Sequence, residues 1–579
     1  MLPIPRSVSL LALAALLAAP AAMADNARPE AASGFTGKQA VRARQFIITT
    51  ANPYASEAGL AMLKRGGSAI DAAIAAQMVL GLTEPQSSGI GGGAFMLYFD
   101  GRALTSFDGR EIAPATADPE LFLKNDRKPM DFYEAVVGGR SVGVPGVLAM
   151  LKLAHQRDGK LPWSALFQPA IKLAESGFRV SPRLNTLLSG EKFLKDDPEA
   201  RAYFYQADGS PLPVGSLLKN PAYAATLREI AANGTQAFYQ GDIARAIVEK
   251  VNGHSRNPGK MLMADLAAYQ PVERPAVCGP YRSWKVCGMG APSSGGVAVL
   301  QMLGMLERFP MASYAPGSVD AAHLFAEANK LAFADRNRYL ADPGFVAVPT
   351  EGLIDAGYLK QRSMLIDPAR DLGKAQPGEP AGVKIAERGR DNAPELPCTS
   401  HINVVDGRGH VLSMTTSVED QFGSRLMVKG FLLNNQLTDF SFSPVDNGAP
   451  VANRVEARKR PRSSMSPTLV FNGKGQFVLA TGSPGGSQII GYVAQTLIGM
   501  LDWRLDPQAA VSLPHYGNRN GATELEKDRG LDPLAAELSA RGHQVKMTEM
   551  TSGLSAIVKT PGGYIGGADP RREGVALGR

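Results

Sequence analysis

A sharp change of composition at residues 396–401 constrains this chain more than any other feature. From 367 to 397, prolines and glycines alternate with charged residues, a composition that buries too little apolar surface to order itself. Directly afterwards, 401–406 and 411–418 are rich in β-branched residues and flank a Gly-Arg-Gly turn. This pattern predicts a β-hairpin. The junction therefore joins a predicted loose segment to a predicted buried strand, as a proteolytic cut site would.

Thr399 stands at the start of that predicted strand, directly after Cys398. Cleavage of the Cys398–Thr399 bond would create an N-terminal threonine, whose hydroxyl can be a nucleophile and whose own α-amine can be the base. A threonine that opens a strand is usually only structural. The remaining motifs decide between these two interpretations.

The N-terminus has the pattern of a secretory signal peptide. An almost wholly apolar run at 8–19 follows Arg6 and leads to Ala22-Met23-Ala24, a small-x-small cleavage signature. We expect residues 1–24 to be removed. The run is too short to span a membrane, and no later stretch offers about 18 consecutive apolar residues. No cysteine near residue 25 could carry a lipid, so we expect a periplasmic or secreted protein without a membrane anchor.

The overall composition favours a globular enzyme, because 44% of the residues are hydrophobic and 20% are charged. The net charge of +7 comes from scattered basic residues without interleaved aromatic residues. This distribution predicts no nucleic-acid partner.

Cysteine and histidine usage predicts one possible disulfide and no metal. Cys278 and Cys287 would face each other across a hairpin that turns at 282–283, and an exported protein meets oxidising conditions. The seven histidines are dispersed, and none has a metal-ligand spacing. We therefore expect no metal and no cofactor.

Apolar periodicity predicts alternating strands and helices along the chain. A helix at 56–64 is expected to begin at Ser56, and a helix at 297–307 is expected to be capped by Ser293 and Ser294. Residues 431–440 are predicted to form a strand that runs into polar residues.

Gly485 and Gly486 lie between a predicted strand at 477–481 and an apolar helix at 488–501. Unpaired N–H groups at a helix start can hold a developing oxyanion, and glycine allows close approach. A tight strand-to-helix turn is the plainer alternative. Arg110 and Glu111 follow a predicted strand. Charged residues at such a position usually belong to a solvated turn, which is the plainer interpretation of Arg110.

Seven stretches occur in the same order as the motifs of one known family: 85–95, 108–114, 292–296, 399–406, 434–440, 460–467 and 482–487. By these motifs the chain resembles the γ-glutamyltransferase family over nearly its whole mature length. The resemblance implies an N-terminal-nucleophile hydrolase with an α/β fold, built as a four-layer αββα sandwich.

The resemblance also implies a precursor that cuts itself between Cys398 and Thr399. The products would be a large subunit, 25–398, and a small catalytic subunit, 399–579, which remain one structural domain. Residues 367–397 would be the flexible linker ahead of the cut.

Individual roles follow from the same resemblance. Thr399 is similar to the nucleophile of both self-cleavage and turnover. Ser417 stands where the family usually has a second threonine, so that the hydroxyl is kept and a methyl group is lost. Gly485 and Gly486 resemble the oxyanion hole.

A second set of residues resembles the family's binding site for the glutamyl group. The α-carboxylate is expected at Arg110, Ser463 and Ser464, because a guanidinium fork matches a carboxylate. The α-ammonium is expected at Gln436, Asp439 and Glu419.

The expected activity is transfer of a γ-glutamyl group from glutathione or a related donor to water, an amino acid or a peptide. Two alternatives stay open: a cephalosporin or glutaryl acylase on the same fold, and an unprocessed, non-catalytic binding protein. Carboxylates at both Glu419 and Asp439 argue against an acylase, whose donor carries no ammonium group. Residues 441–462 contain only Phe442 as an aromatic residue, whereas some members cover the site with an aromatic residue of this loop. We therefore expect a more open pocket.

Overall fold

The computed structural model describes residues 31–384, 387–391, 393 and 398–579. The predicted signal peptide, 1–24, and part of the linker lie outside this range. Within the described range, no helix combines the length and apolarity that crossing a bilayer requires.

The strands, in chain order, are β1 Val41–Ala43, β2 Ile47–Thr50, β3 Gly93–Phe99, β4 Leu104–Gly109, β5 Phe178–Arg179, β6 Leu217–Leu218, β7 Val272–Arg274, β8 Val277–Tyr281, β9 Trp284–Gly288, β10 Ser400–Val405, β11 Val411–Ser417, β12 Met427–Val428, β13 Phe431–Leu432, β14 Val445–Asp446, β15 Ala449–Pro450, β16 Thr468–Phe471, β17 Phe477–Gly482, β18 Tyr516–Asn518, β19 Thr523–Glu526, β20 Val545–Thr548, β21 Ser555–Thr560, β22 Gly563–Ala568 and β23 Val575–Gly578.

The α-helices are α1 Pro53–Lys64, α2 Ala69–Thr83, α3 Phe132–Val136, α4 Val147–Asp158, α5 Trp163–Leu166, α6 Gln168–Ser176, α7 Pro182–Gly190, α8 Pro198–Phe204, α9 Pro221–Asn233, α10 Gln236–Tyr239, α11 Asp242–Asn252, α12 Met263–Ala267, α13 Gly295–Leu306, α14 Val319–Tyr339, α15 Thr350–Leu353, α16 Ala356–Ser363, α17 Ile489–Leu501, α18 Pro507–Val511 and α19 Asp532–Ala540.

Two seven-stranded sheets form the centre of the molecule. The first has the order β1-β22-β21-β17-β16-β9-β8, and the second has the order β23-β2-β10-β11-β3-β4-β7. Neighbouring strands in both sheets are antiparallel. Each sheet combines strands that precede residue 399 with strands that follow it.

The strands bury both of their faces, since successive side chains point to opposite sides of a sheet. Ile47 and Val405 belong to an apolar cluster shared by the two sheets, whereas their neighbours Ile48 and Val404 pack among α1, α2 and α4. On the far side, Val470 of the first sheet packs among α13, α14 and α17. The order of layers is helix, sheet, sheet, helix, which confirms the predicted αββα sandwich.

The predicted hairpin at residue 401 is confirmed. β10 and β11 pair in antiparallel register from Ser400 opposite Thr416 to Val405 opposite Val411. β2 flanks β10 and β3 flanks β11, so the hairpin lies at the centre of its sheet. Position 399 therefore directly precedes β10, a strand that is paired on both sides.

Two expected helix caps, Ser56 and Ser294, are wrong, whereas the third, Ser293, accepts the N–H of Gly295, the first residue of α13, at 3.2 Å. The first helix begins at Pro53 and is capped by Asn52, whose side chain accepts the N–H of Tyr54, so Ser56 lies inside it. Ser294 makes no capping bond to α13. Its hydroxyl donates to the carbonyl of Ser463 at 2.7 Å, which holds a pocket loop instead.

The predicted strand at 431–440 is wrong beyond Leu432. Asn434 donates from its side chain to the carbonyls of Gly91 and Gly143, at 2.8 and 2.9 Å. These bonds hold the chain away from a sheet, and a 3₁₀ turn follows at Gln436–Asp439. The turn brings the polar side chains of this stretch into one place.

The described part of the predicted linker has no α-helix or strand, yet its neighbours hold it. Tyr339 donates to the carbonyl of Gly378 at 2.6 Å, and Arg362 donates to the carbonyl of Gln376 at 2.9 Å. The composition of this segment predicts that it cannot order itself. In the structure, side chains of α14 and α16 hold its backbone in place.

Cys278 and Cys287 face each other across β8 and β9 and form a disulfide. Cys287 is fully buried between the two sheets. Cys398 is a free, buried cysteine.

Candidate active site

One pocket at the end of β10 brings the predicted site residues together. The lining contains every predicted catalytic and substrate-binding residue except Gly485: Arg110, Thr399, Ser417, Glu419, Gln436, Asp439, Ser463, Ser464 and Gly486. Met465 and Ile489, which were not predicted, complete it. Residues from distant parts of the chain meet here because β4 and β11 end, and β10 begins, at the same edge of their sheet.

Thr399 and Ser417 meet because antiparallel pairing places the start of β10 beside the end of β11. The Thr399 hydroxyl donates to the Ser417 hydroxyl at 3.3 Å, and Ser417 donates to the carbonyl oxygen of Cys398 at 2.8 Å. The backbone N–H of Glu419 donates to the same Ser417 oxygen at 2.9 Å. The nucleophilic group therefore lies beside the bond predicted to be cut, and that carbonyl is already polarised.

The thiol of Cys398 has no visible role in this chemistry. It donates to the carbonyl of Gln86 at 2.9 Å, and burial raises its pKa to about 11. A thiol with this pKa is protonated at neutral pH, and thiolate is the reactive form. This environment supports a structural interpretation of Cys398.

Gly485 and Gly486 form the turn between β17 and α17. Both have positive φ, +137° and +56°, which only glycine adopts readily. A Cβ at position 485 would lie 2.7 Å from the ring of Tyr492. Among the described residues, neither backbone N–H has a backbone acceptor. Two donors at the pocket edge can therefore face an oxyanion.

Arg110 is fully buried, so the solvated-turn interpretation is wrong. Its Nε donates to the carbonyl of Pro461 at 3.1 Å, and its Nη2 donates to the carbonyl of Arg462 at 2.7 Å and to Asp439. Within the described residues, Nη1 has no hydrogen-bond acceptor. Nη1 lies 3.7 Å from the carboxyl group of Glu111, and Arg110 is one of the residues that line the pocket.

Ser463 and Ser464 are held by residues that the sequence analysis did not identify as site residues. Arg336, on α14, donates from Nη2 to the Ser464 hydroxyl at 2.6 Å and from Nε to the Ser294 hydroxyl at 2.8 Å. A second guanidinium therefore stands behind the paired serines. Its position is set by tertiary contact between residues more than a hundred positions apart, which local pattern does not reveal.

Acidic groups line the other side of the pocket. The side-chain amide of Gln436 donates to Asp439 at 3.0 Å. The oxygen of the same side-chain amide has no hydrogen-bond partner within the described residues. Asn435 donates to the Glu419 carboxylate. Glu419 has φ +81°, a conformation that is strained for a residue with a side chain and is common at functional sites. Asn435, missed by the sequence analysis, fixes the direction of Glu419.

Burial alters two titratable groups next to the pocket. It raises the pKa of Glu111 to about 8, so this carboxyl beside Arg110 is mostly neutral at pH 7. Burial also lowers the pKa of His401, a residue of β10, to about 4. Its imidazole is therefore neutral at pH 7. The ionisable side chains that line the pocket itself are Arg110, Glu419 and Asp439.

Phe442 packs away from the pocket. Its ring stacks on Phe122 with centroids 4.7 Å apart and lies 6.4 Å from Phe132. In the described part of the chain, no aromatic side chain lines the pocket. The more open pocket nevertheless stays a prediction, because the predicted site residues that line the pocket, apart from Gly486, are almost completely buried.

Two of the seven histidines do converge, away from the pocket, although dispersal was expected for all of them. Nδ1 of His323 and Nε2 of His543 are 2.7 Å apart, and Glu327 lies within reach of both. The ammonium group of Lys330 already contacts Glu327 at 2.8 Å and also pairs with Asp371. Glu327, the carboxylate of this cluster, is thus already paired with a lysine.

Comparison with known proteins identifies related sequences along almost the entire chain. The profile of a family described as Gamma-glutamyltranspeptidase matches residues 55–579. A glutathione hydrolase proenzyme of Escherichia coli (strain K12) is 37% identical over 548 residues, which cover 92% of this chain and 91% of that protein. An acylase ACY 1 proenzyme of Pseudomonas sp. (strain SE83) is 34% identical over 552 residues, 93% of this chain and 94% of that protein.

A solved structure supports the same relationship. The crystal structure of cephalosporin acylase from Bacillus halodurans superposes with a TM-score of 0.80 at 26% identity. The superposition covers 95% of this chain and 99% of that one. Hydrolases of γ-glutamyl compounds and acylases are thus both represented among the relatives.

Proposed function

Because the chain belongs to the gamma-glutamyltranspeptidase family, whose members are N-terminal-nucleophile enzymes, we propose that it is an exported, self-processing γ-glutamyltransferase. It releases the γ-glutamyl group of glutathione or a related donor and passes it to water, an amino acid or a peptide. The observation that carries this proposal is the contact series from the Thr399 hydroxyl through Ser417 to the Cys398 carbonyl. That series lies in a pocket with groups for a carboxylate and an ammonium.

Self-cleavage begins when the Thr399 oxygen attacks the carbonyl carbon of Cys398. Ser417 stabilises the negative charge that develops on the carbonyl oxygen, because it already donates to that oxygen at 2.8 Å. The C–N bond then breaks, leaving an ester on Thr399 and a free α-amine. Water hydrolyses the ester and releases the Cys398 carboxylate together with the Thr399 hydroxyl. The products are the proposed large subunit, 25–398, and small subunit, 399–579.

Turnover uses the same oxygen on a different carbonyl. The Thr399 hydroxyl attacks the γ-amide carbonyl of the donor while the α-amine takes its proton and passes it to the leaving amine. The N–H groups of Gly485 and Gly486 hold the oxyanion. The γ-glutamyl ester that remains on Thr399 is then attacked by water or by an acceptor amine, which restores the free hydroxyl.

The charges of the pocket favour a donor that carries both an α-carboxylate and an α-ammonium. Arg110, with Arg336 behind Ser464, supplies positive charge on one side. Glu419, Asp439 and the side-chain carbonyl oxygen of Gln436 supply hydrogen-bond acceptors on the other. A γ-glutamyl group has both ionic groups on one carbon and can satisfy both sides at once.

An acylase is the second candidate, because acylases are among the sequence and structural relatives. A glutaryl group has the carboxylate but no ammonium, so it would leave Glu419 and Asp439 facing a methylene group. An ammonium group would add an ionic contact to these two carboxylates, which a glutaryl group cannot make. This difference makes glutaryl compounds the poorer donors.

One assay separates the two activities and tests the nucleophile. We expect the purified, processed protein to release the anilide from a γ-glutamyl anilide at least tenfold faster than from the matched glutaryl anilide. Preference for the glutaryl compound would establish the acylase instead. Thr399→Ala should leave a single uncut, inactive chain, and N-terminal sequencing of the wild type should find Thr-Ser-His. Cleavage of the Thr399→Ala chain at the same bond would refute the assignment.

A further inference from the structure

Arg572 binds the backbone of Thr399, and the chemistry described above does not use it. Its Nη1 donates to the Thr399 carbonyl at 3.0 Å, and its Nη2 donates to the carbonyl of Thr551, also at 3.0 Å. Both Arg572 and Thr399 are almost fully buried. One guanidinium thus connects the residue at the cut site to a loop from the other end of the chain.

The segment that carries Arg572 is itself held in place. Residues 569–574 connect β22 to β23, and β23 pairs with β2, the neighbour of β10. The ammonium of Lys38 donates to the carbonyls of Asp569, Arg572 and Gly574 at 2.7, 2.5 and 2.5 Å. Arg572 therefore reaches Thr399 from a fixed support.

We propose that Arg572 is a positioning residue for Thr399: it holds the threonine carbonyl before cleavage and keeps a positive charge beside the new α-amine after it. The proposal rests on the function proposed above, since it needs Thr399 to be the nucleophile. Arg572 and Ser417 act on different peptide groups. Arg572 donates to the carbonyl of Thr399 itself, whereas Ser417 donates to the carbonyl of Cys398.

Before cleavage, the contact restricts the backbone of the nucleophile. Fixing the carbonyl oxygen of Thr399 limits rotation about the bond between its Cα and its carbonyl carbon. Rotation about this bond would move the Thr399 hydroxyl and the Cys398 carbonyl together away from Ser417, so the contact keeps both beside the Ser417 hydroxyl. Reacting groups held in place react faster than mobile ones.

After cleavage, the guanidinium acts on the charge of the amine. An α-amine ordinarily has a pKa near 7.7–8.0, and the base in the proposed mechanism must be the neutral form. A positive charge within about 4–6 Å disfavours the protonated amine, and Arg572 contacts the carbonyl of the same residue. The charged and titratable groups around Arg572 are Glu84, Arg183, Cys398, Tyr492 and Asp569.

The test compares Arg572→Gln with Arg572→Lys in the full-length chain. Glutamine retains a hydrogen-bond donor without the charge, whereas lysine retains the charge with a different donor geometry. Arg529→Gln is the matched control, because Arg529 also donates to a backbone carbonyl, that of Ser512 at 3.1 Å. Three quantities are measured for each protein: the thermal midpoint, the rate of appearance of the Thr399 terminus, and the pH dependence of kcat/KM of the processed enzyme.

We expect Arg572→Gln to cleave itself at least tenfold more slowly than the wild type. The acidic limb of its kcat/KM profile should move up by about one pH unit, because the amine becomes more basic when the charge is removed. Arg572→Lys should keep the acidic limb of the kcat/KM profile at the wild-type pH. Arg529→Gln should match the wild type both in the rate of self-cleavage and in the position of this limb.

A folded Arg572→Gln protein with the wild-type cleavage rate and limb would overturn the inference. If that variant does not fold, Arg572→Lys decides: an unshifted limb supports the inference, and a limb shifted as expected for glutamine overturns it. Failure of the wild type itself to cleave at Thr399 would instead refute the proposed function.

Discussion

Ser417→Ala tests the first step of the proposed self-cleavage most directly. The Ser417 oxygen makes three contacts: it donates to the Cys398 carbonyl at 2.8 Å, and it accepts from the Thr399 hydroxyl at 3.3 Å and from the N–H of Glu419 at 2.9 Å. Alanine removes all three and changes the volume by little. The variant therefore isolates the hydroxyl.

The expected loss of rate follows from the contact with the Cys398 carbonyl. Removing one donor to a developing oxyanion costs about 10²–10³ in rate, or about 2.7–4 kcal/mol. The loss of an acceptor for the buried N–H of Glu419 costs about 1–3 kcal/mol of folding stability instead. The first effect slows cleavage, whereas the second lowers the unfolding midpoint, so the two are measured separately.

The assay follows cleavage of freshly folded precursor at 25 °C on denaturing gels, with N-terminal sequencing of the new fragment. Ser417→Thr keeps the hydroxyl and should cleave within a few-fold of the wild-type rate. Ser413→Ala removes another buried hydroxyl of β11, one that contacts His401 and Thr481 rather than the cut site, and should not slow cleavage. A folded Ser417→Ala chain that cleaves within threefold of the wild type would refute the argument.

Two further predictions concern the donor and acid stability. Arg110→Lys should leave self-cleavage intact but raise KM for a γ-glutamyl anilide at least tenfold, since an ammonium cannot replace the contacts to Asp439 and to two backbone carbonyls; an unchanged KM would exclude Arg110 from the site. For His401, burial lowers the folded-state pKa to about 4, below the ordinary value of about 6.5. Between these values the unfolded chain binds a proton that the folded chain does not, so stability falls as pH falls through this window. The test uses the uncut Thr399→Ala chain with and without the further change His401→Asn. When the pH is lowered from 7 to 4.5, the free energy of unfolding should fall by about 2–3 kcal/mol less in the chain that carries His401→Asn. Equal losses in urea unfolding would contradict this sign.

The fold follows from the sequence where local pattern and tertiary structure agree. The alternation in β10 and β11 predicts a hairpin because both faces of these strands are buried, one against the helices and one against the other sheet. Helix α2 is apolar on all sides and fully buried. In such segments every local preference leads to the same structure.

Local pattern fails where a side chain serves a distant partner. Ser294 resembles a helix cap by position, but its hydroxyl holds the carbonyl of Ser463. At the first helix, the pair Asn52–Pro53 was available as a start signal, because proline is favoured in the first helical turn. The hydrophobic run after residue 431 resembles a strand, and only the bonds of Asn434 to two distant glycines explain why it turns.

The candidate site shows the same division. Motifs predict most of the residues that line the pocket, because these lie in short stretches of distinctive composition. Ser417 and Glu419 lie outside those stretches and were assigned by resemblance, and Met465 and Ile489 were not predicted. The motifs do not predict the supports Asn435, Arg336 and Arg572, each of which acts through a single contact with a lining residue. His323 and Glu327 do have a helical i, i+4 spacing, but their partner His543 is 220 positions from His323.

The sheets explain why the proposed cut can expose an amine without separating the fragments. β10 begins directly after the cut, yet it pairs with β2, and β11 pairs with β3. In the other sheet, β16 pairs with β9. Separation of the two fragments would break strand pairing in both sheets and expose the apolar clusters that the sheets share. Hydrolysis of one peptide bond does not supply the free energy for that separation. We therefore expect cleavage to change the chemistry at Thr399 while the pocket, which combines Arg110 with residues after 399, stays assembled.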